Sequence, residues 1–148
     1  MKKSIMTLFL ALFSFMGAMA QDQIVGTWAG EQDGDHFRAK IVKLANGTYQ
    51  GQVVWMENDK DAKGNKRLDT KNPDKNLRKT PCDRIVLFTG LKYNAEKKHW
   101  SDTKIYDPQR GIKAHLTVSI EKDGRLRLKG SLMGISESVY WTRVKDEK

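Results

Sequence analysis

The chain has 148 residues, a formal net charge of +9 and a single cysteine. That length is one domain's worth, enough to bury a core without covalent staples. A lone Cys82 excludes an intramolecular disulfide.

The N-terminus reads as an export signal. Lys2 and Lys3 form a basic start, Ile5 to Phe15 is apolar apart from Thr7 and Ser14, and Ala18-Met19-Ala20 is an A-x-A cleavage site. Residues 1–20 are therefore expected to be a signal peptide and residues 21–148 a single exported domain, periplasmic or secreted. The apolar run is shorter than the ~20 residues a membrane span needs, and no later segment is apolar enough to span. No cysteine follows it for a lipid anchor and no arginine pair precedes it. Loss of Lys2 and Lys3 lowers the net charge from +9 to +7. The remaining basic residues are dispersed among acids, which suits a soluble surface. A partner such as an anionic envelope glycan or lipid headgroup is the alternative reading of that charge. No nucleic-acid-binding motif is present.

After the leader the pattern has period two, broken by turn residues. Ile24–Glu31 reads as the first strand and Asp33-Gly34 as a turn. His36–Leu44 is the second strand, with Phe37, Ala39 and Ile41 on one face. Asn46-Gly47 predicts a type I′ hairpin, which needs φ > 0 at both residues. Thr48–Met56 follows, with Tyr49, Gly51, Val53 and Trp55 sharing a face. Glu57–Thr80 is a polar segment too long for an ordinary hairpin loop, with room for a helical turn at Asn76–Lys79. Arg84–Leu91 and Lys98–Tyr106 are the fourth and fifth strands. Gly111–Glu121 alternates most cleanly, with Ile112, Ala114, Leu116, Val118 and Ile120 facing one way. Asp123-Gly124 is a hairpin signal of the Asn46-Gly47 kind. Arg125–Leu132, with Leu126, Leu128, Gly130 and Leu132 on one face, is the seventh strand, and Gly134 turns the chain. Ser136–Val144, with Val139, Trp141 and Arg143 on one face, is the eighth.

Eight strands joined mostly by tight turns predict an all-β, up-and-down antiparallel barrel, because closure is what removes exposed sheet edges. A Greek-key sandwich would need several long crossovers, and only one long loop exists. An eight-stranded barrel is either filled by side chains or holds one small ligand.

Gly26-x-Trp28 on the first strand and Trp141-Thr142-Arg143 on the last resemble the lipocalin-like (calycin) barrels. That resemblance implies a closing Trp28 under Arg143, with Gly26 leaving room beside them. Arginine over an indole face is a favourable cation–π pair, stronger when desolvated. Across most of residues 21–148 the chain also resembles the bacterial domain of unknown function 2147 family. The pieces occur in order: Gly26-Thr27-Trp28, Gly51 to Trp55, Asp69-Thr70-Lys71-Asn72-Pro73-Asp74, Leu77-Arg78, Ile85 to Leu91, Trp100, Ile105-Tyr106-Asp107-Pro108, Gly111, Leu126 to Gly130 and Trp141-Thr142-Arg143. The resemblance implies an exported barrel and carries no activity. Asp83-Arg84 after Cys82 and Ser101-Asp102-Thr103 after Trp100 depart from the family pattern.

Chemistry-bearing motifs are sparse. There is no nucleophile elbow, phosphate loop, zinc-ligand set or cofactor motif, which points away from an enzyme. Asp69, Asp74, Asp102 and Asp107 are acid–base or cation-ligand candidates, but Asx turn chemistry explains Asp69, Asp74 and Asp107 more simply. Cys82 reads as a half-buried packing residue. The aromatics Trp55, Trp100, Tyr106 and Tyr140, with Asn72, Arg78 and Lys104 as polar partners, are the candidate contacts of a small, partly apolar ligand or lipid. Trp55 and Trp100 equally suit a filled core. The remaining alternative is a hydrolase or isomerase using Asp69, Asp107 or Tyr106.

Overall fold

The computed structural model describes residues 20–145. The expected signal peptide falls, apart from Ala20, outside the described residues. Eight strands run β1 (Gly26–Gln32), β2 (Asp35–Lys43), β3 (Tyr49–Met56), β4 (Val86–Asn94), β5 (His99–Asp107), β6 (Ile112–Ile120), β7 (Leu126–Leu132) and β8 (Ile135–Arg143). Each pairs antiparallel with the next, and β8 returns to β1 to close a barrel. The closing seam is short: Trp28 pairs with Arg143 and Ala29 with Thr142. The amide of Val144 extends it by donating to the Thr27 carbonyl, at 2.9 Å.

Up-and-down order sorts the connections into two ends. One end carries the turns after β1, β5 and β7 and the long segment between β3 and β4. The other carries the turns after β2, β4 and β6 and the segment leading into β1. At the first end Asp33-Gly34 and Met133-Gly134 both have positive φ, at 50° and 85° and at 51° and 80°. These are two-residue turns of the type I′ kind, joining the pairs Gln32–Asp35 and Leu132–Ile135. The turns at Asn46-Gly47 and Asp123-Gly124 correct the expectation of that type. Only the glycines have positive φ there. Leu44 accepts from Gly47 and donates to Thr48, and Glu121 does the same with Gly124 and Arg125. This is the three-residue loop with a left-handed glycine. The Asn46 and Asp123 side chains stay in right-handed turns and accept the backbone amides of Thr48 and Arg125.

Register breaks in β3, β4 and β5, and the breaks in β3 and β5 redirect side chains. Arg38 pairs with Trp55 and Ala39 with Val53, so Val54 is an extra residue, a β-bulge. The bulge turns Trp55 out of the Tyr49–Gly51–Val53 face expected for it. Trp55 is 46% exposed, and the Arg38 guanidinium packs 5.5 Å from its ring centre. In β5, Trp100 pairs with Val118 and Thr103 with Leu116, leaving one residue extra. Asp102 there has φ of 71°. Downstream of that break Ile105 shares the inner face with Ala114, while Tyr106 pairs with outward Lys113. The fourth strand begins later than expected and runs to Asn94, because Cys82–Arg84 forms a 3-10 turn first.

The interior is filled at the end where the chain enters. Ile24, Trp28, Ile41, Tyr49, Leu91, Val118 and Leu126 are all buried to within 1%. Gly51 faces this packing, and any β-carbon there would lie 2.5 Å from the Phe88 ring. The guanidinium of Arg143 sits 4.2 Å over the Trp28 ring centre and donates to the carbonyls of Val25 and Gln23. A side chain on Gly26 would meet that guanidinium at 2.8 Å. Trp28 donates its indole N–H to the Ile24 carbonyl at 2.9 Å, and Trp100 donates to the Gln21 carbonyl at 3.0 Å. Residues 21–25 thus form a plug in which the carbonyls of Gln21, Gln23, Ile24 and Val25 are taken by two buried indoles and one arginine.

Candidate functional site

The opposite end of the barrel is hollow. A cavity of about 570 Å³ opens between the first-end turns, within the size range of small-molecule sites. Its floor is the edge-to-face pair Phe37 and Trp141, with ring centres 5.8 Å apart. Their closeness requires Gly30, whose β-carbon would lie 2.6 Å from Phe37 and 2.8 Å from Trp141. Leu87, Ile105, Leu116 and Leu128 form the walls. Ala114 and Gly130 are neighbours on β6 and β7, and a β-carbon on Gly130 would come 3.4 Å from that of Ala114. Two small residues at adjacent inner positions leave the space that larger side chains fill lower down.

Burial makes the same point. Register places Ile112, Leu132, Ile135 and Val139 on the inner face, opposite Asp107, Ile135, Leu132 and Leu128. Inner residues of a filled barrel would be dry. These four are 39%, 39%, 69% and 47% exposed, because they face the opening.

The rim is polar. Asp107 is an inner residue by its pairing with Ile112, and Glu137 by its pairing with Gly130. Gln32 on β1 donates to Asp107 Oδ1 at 3.1 Å. β1 and β5 are four strands apart in an eight-stranded closed order, so this bond crosses the mouth. Arg110, from the β5–β6 turn, approaches Asp107 at 3.7 Å and Glu137 at 3.4 Å. Asp107 Oδ1 also accepts the amides of Gln109 and Arg110, which is the Asx turn expected of Asp-Pro.

The long segment between β3 and β4 braces this end from outside. Asp35 takes Asn58 and Arg67, and chiefly through the Asn58 bond its carboxyl is held below the usual range. Lys71 donates to the Gln109 carbonyl at 2.7 Å, and its own carbonyl lies 2.4 Å from where a Gly111 β-carbon would be. Asp69 and Asn72 are 3% and 5% exposed. Asp69 accepts from the Tyr106 hydroxyl at 2.7 Å and from the Asn72 amide at 2.8 Å. Burial, then the bond to Asp69, raises the Tyr106 phenol well above its ordinary value. Tyr106 is therefore fixed as a hydroxyl donor, and the pair is a satisfied buried bond. Asp69 is more than the turn residue expected, whereas Asp74 does cap the short 3-10 turn Lys75–Leu77 through the Asn76 amide. Cys82 is half-buried, and desolvation raises its thiol. Among the described residues no three His, Cys, Asp or Glu side chains group to hold a metal.

The seven residues expected to contact a ligand are not brought together. Tyr106 borders the cavity. Trp100 is buried in the filled end, 2% exposed. Trp55 lies on the outer face beyond the bulge. Tyr140 pairs with Arg127 on the outer face of β8, under the Arg125 guanidinium at 4.5 Å. Lys104 is outward and exposed, paired with His115. Asn72 is consumed by Asp69, and Arg78 donates to the Asn72 carbonyl at 2.7 Å. The residues that do line the cavity were visible as alternating faces in β6, β7 and β8. Ala114 and Gly130 carried the signal for empty space.

Residues 26–143 match the family described as "Uncharacterized protein conserved in bacteria (DUF2147)". The barrel is similar to a solved structure titled as protein HP1028 from the human pathogen Helicobacter pylori, which is said there to belong to the lipocalin family. The two share 20% identity with a TM-score of 0.64, over 83% of this chain and 84% of that one. At that identity the likeness speaks for the fold. No curated protein matches the chain.

Proposed function

The chain belongs to the DUF2147 family, and from its cavity we propose that it is an exported binding barrel that holds a small, partly apolar molecule or lipid without transforming it. The observation that carries this is the set of inner-face apolar residues Ile112, Leu132, Ile135 and Val139 left exposed around a space of about 570 Å³. Burying that surface is favourable by roughly 25 cal/mol per Å², and a ligand's apolar body is what fits. The rim groups then orient its polar end. The lipocalin-type barrel of the similar H. pylori protein supports the reading at the level of architecture.

The test is titration of the protein with the neutral, polarity-sensitive dye Nile red. Blue-shifted emission with saturable binding is expected. Gly130→Phe, which places a ring in the space beside Ala114, is expected to weaken dye binding at least about tenfold while the protein stays folded, since the ring occupies volume the dye would fill. A native protein that leaves the dye in water rules the reading out.

Export is supported by the leader-like N-terminus, and the expected cleavage point is compatible with the contacts that follow it. The carbonyl of Gln21 and the carboxylate of Asp22 are both used by the barrel, through Trp100 and Tyr49. Cleavage after Ala20 leaves both in place. N-terminal sequencing of the protein from envelope and medium fractions is expected to start at Gln21; a retained leader would overturn this.

A further inference from the structure

The charge at the mouth has the opposite sign to the charge of the chain. The full chain carries +9, and +7 without the expected leader, yet among the described residues the charged ones bordering the cavity are Glu31, Asp33, Asp107 and Glu137 against Arg110 alone. Two of the carboxylates, Asp107 and Glu137, are on the inner face, where alternation would put apolar side chains. Glu137 stands opposite Gly130, so it projects over the emptiest part of the wall.

These two inner carboxylates already hold a cation. Arg110 spans them, at 3.7 Å from Asp107 and 3.4 Å from Glu137. Both contacts are long, and the Arg110 side chain is 58% exposed. Such a pair is worth little in water and exchanges readily. An incoming ammonium gains both carboxylates, with Glu31 and Asp33 adding favourable field. An incoming carboxylate finds Arg110, the one cation among the described lining residues, shared between two acids and meets further negative charge beyond it.

We propose that the ligand of this barrel is a cationic amphiphile, an apolar chain or ring system ending in an amine or quaternary ammonium. Its head replaces the Arg110 guanidinium between Asp107 and Glu137, and its body fills the cavity over Phe37 and Trp141. This rests on the reading that the barrel binds a partly apolar molecule, and names the class. Arg110 is then an internal stand-in that occupies the head-group site of the empty protein and competes with the ligand for it.

The experiment is displacement of bound Nile red by decyltrimethylammonium, decanoate and 1-decanol, each below its aggregation concentration. The cation is expected to bind at least about fivefold more tightly than decanoate, with the margin shrinking as salt is raised. Two substitutions are expected to move the ratio of cation to alcohol affinity in opposite directions. Arg110→Gln raises it and Glu137→Gln lowers it, each by roughly two- to fivefold. Decanoate displacing the dye as well as the cation does, or a ratio that Arg110→Gln lowers, overturns the proposal and leaves the binding barrel standing. Failure of the dye itself to bind overturns both.

Discussion

At the end of the barrel where the chain enters, inner positions hold Trp28, Tyr49, Trp100 and their aliphatic neighbours, and residues 21–25 seal what is left. At the other end the same alternation delivers Ala114, Gly130, Glu137 and four apolar side chains that stay wet. Pairing of the backbone is alike at both ends of β6, β7 and β8. What differs is side-chain volume per inner position, and therefore whether the interior is closed by the chain or left to a guest. One end is packed and the other holds the cavity, so substitutions should separate stability from the proposed binding by position.

The largest expected effect is at the sealed end. Trp28→Ala removes an indole that is 1% exposed, the platform for Arg143 and the donor to Ile24. It is expected to cost about 3–5 kcal/mol, as for other large core aromatics, measured as the shift of a urea unfolding curve. A loss below about 1 kcal/mol would mean that the seam closes without it.

Tyr106→Phe comes next, and it tests whether the long segment belongs to the stable frame. The substitution leaves one oxygen of the buried Asp69 carboxylate without its partner. An orphaned buried acceptor costs on the order of 2 kcal/mol. Hydrogen exchange in residues 66–82 should rise along with it. An unchanged segment would show that Lys71 and Arg67 hold it without the buried pair.

Much of this frame was readable in advance, and the exceptions share a cause. Period-two alternation located eight strands and the inner faces of β2, β6 and β7, because a one-residue slip would expose a whole face. Gly26, Trp28 and Arg143 identified the closing seam. Trp55 was misplaced because the bulge at Val54 adds one residue, and nothing in Val53-Val54-Trp55 marks which valine is extra. Tyr106 faces outward for the same reason, through the extra residue before Thr103. Arg78 and Asn72 turned inward upon the loop itself, a local preference that composition does not reveal. The sequence points to aromatics, whereas the cavity owes its space to small residues. A cavity is a deficit of volume, and Ala114 beside Gly130 becomes visible only once the register of β6 with β7 is known.

A smaller effect concerns the seal and acid. Tyr49 donates its hydroxyl to Asp22, and that bond, ahead of the Lys43 contact at 3.1 Å, holds the Asp22 carboxyl below the usual range. A carboxylate with a depressed value contributes stability that is complete above its unfolded value and fades as the pH falls through its folded one. Tyr49→Phe is therefore expected to cost about 1 kcal/mol at neutral pH, with the gap to the parent closing in acid. A gap that stays constant down to strongly acidic pH would assign the loss to packing.

The smallest expected change in stability is at Gly130. Its φ lies outside the left-handed region, and its β-carbon would make only ordinary contacts, at 3.4 Å from Ala114 and 3.9 Å from Ile105. A phenylalanine there turns into space that the chain leaves empty, covering part of Leu116 and Leu128. Overpacking a filled core costs ~1–3 kcal/mol, and adding a ring to a void avoids that strain. Gly130→Phe should thus stay within about 1 kcal/mol of the parent while dye binding falls. Gly51 supplies the contrast, since a β-carbon there already meets the Phe88 ring at 2.5 Å. If the phenylalanine at position 130 destabilised the barrel by several kcal/mol, the open end would be packed in solution. The division between a sealing end and a receiving end would then fail.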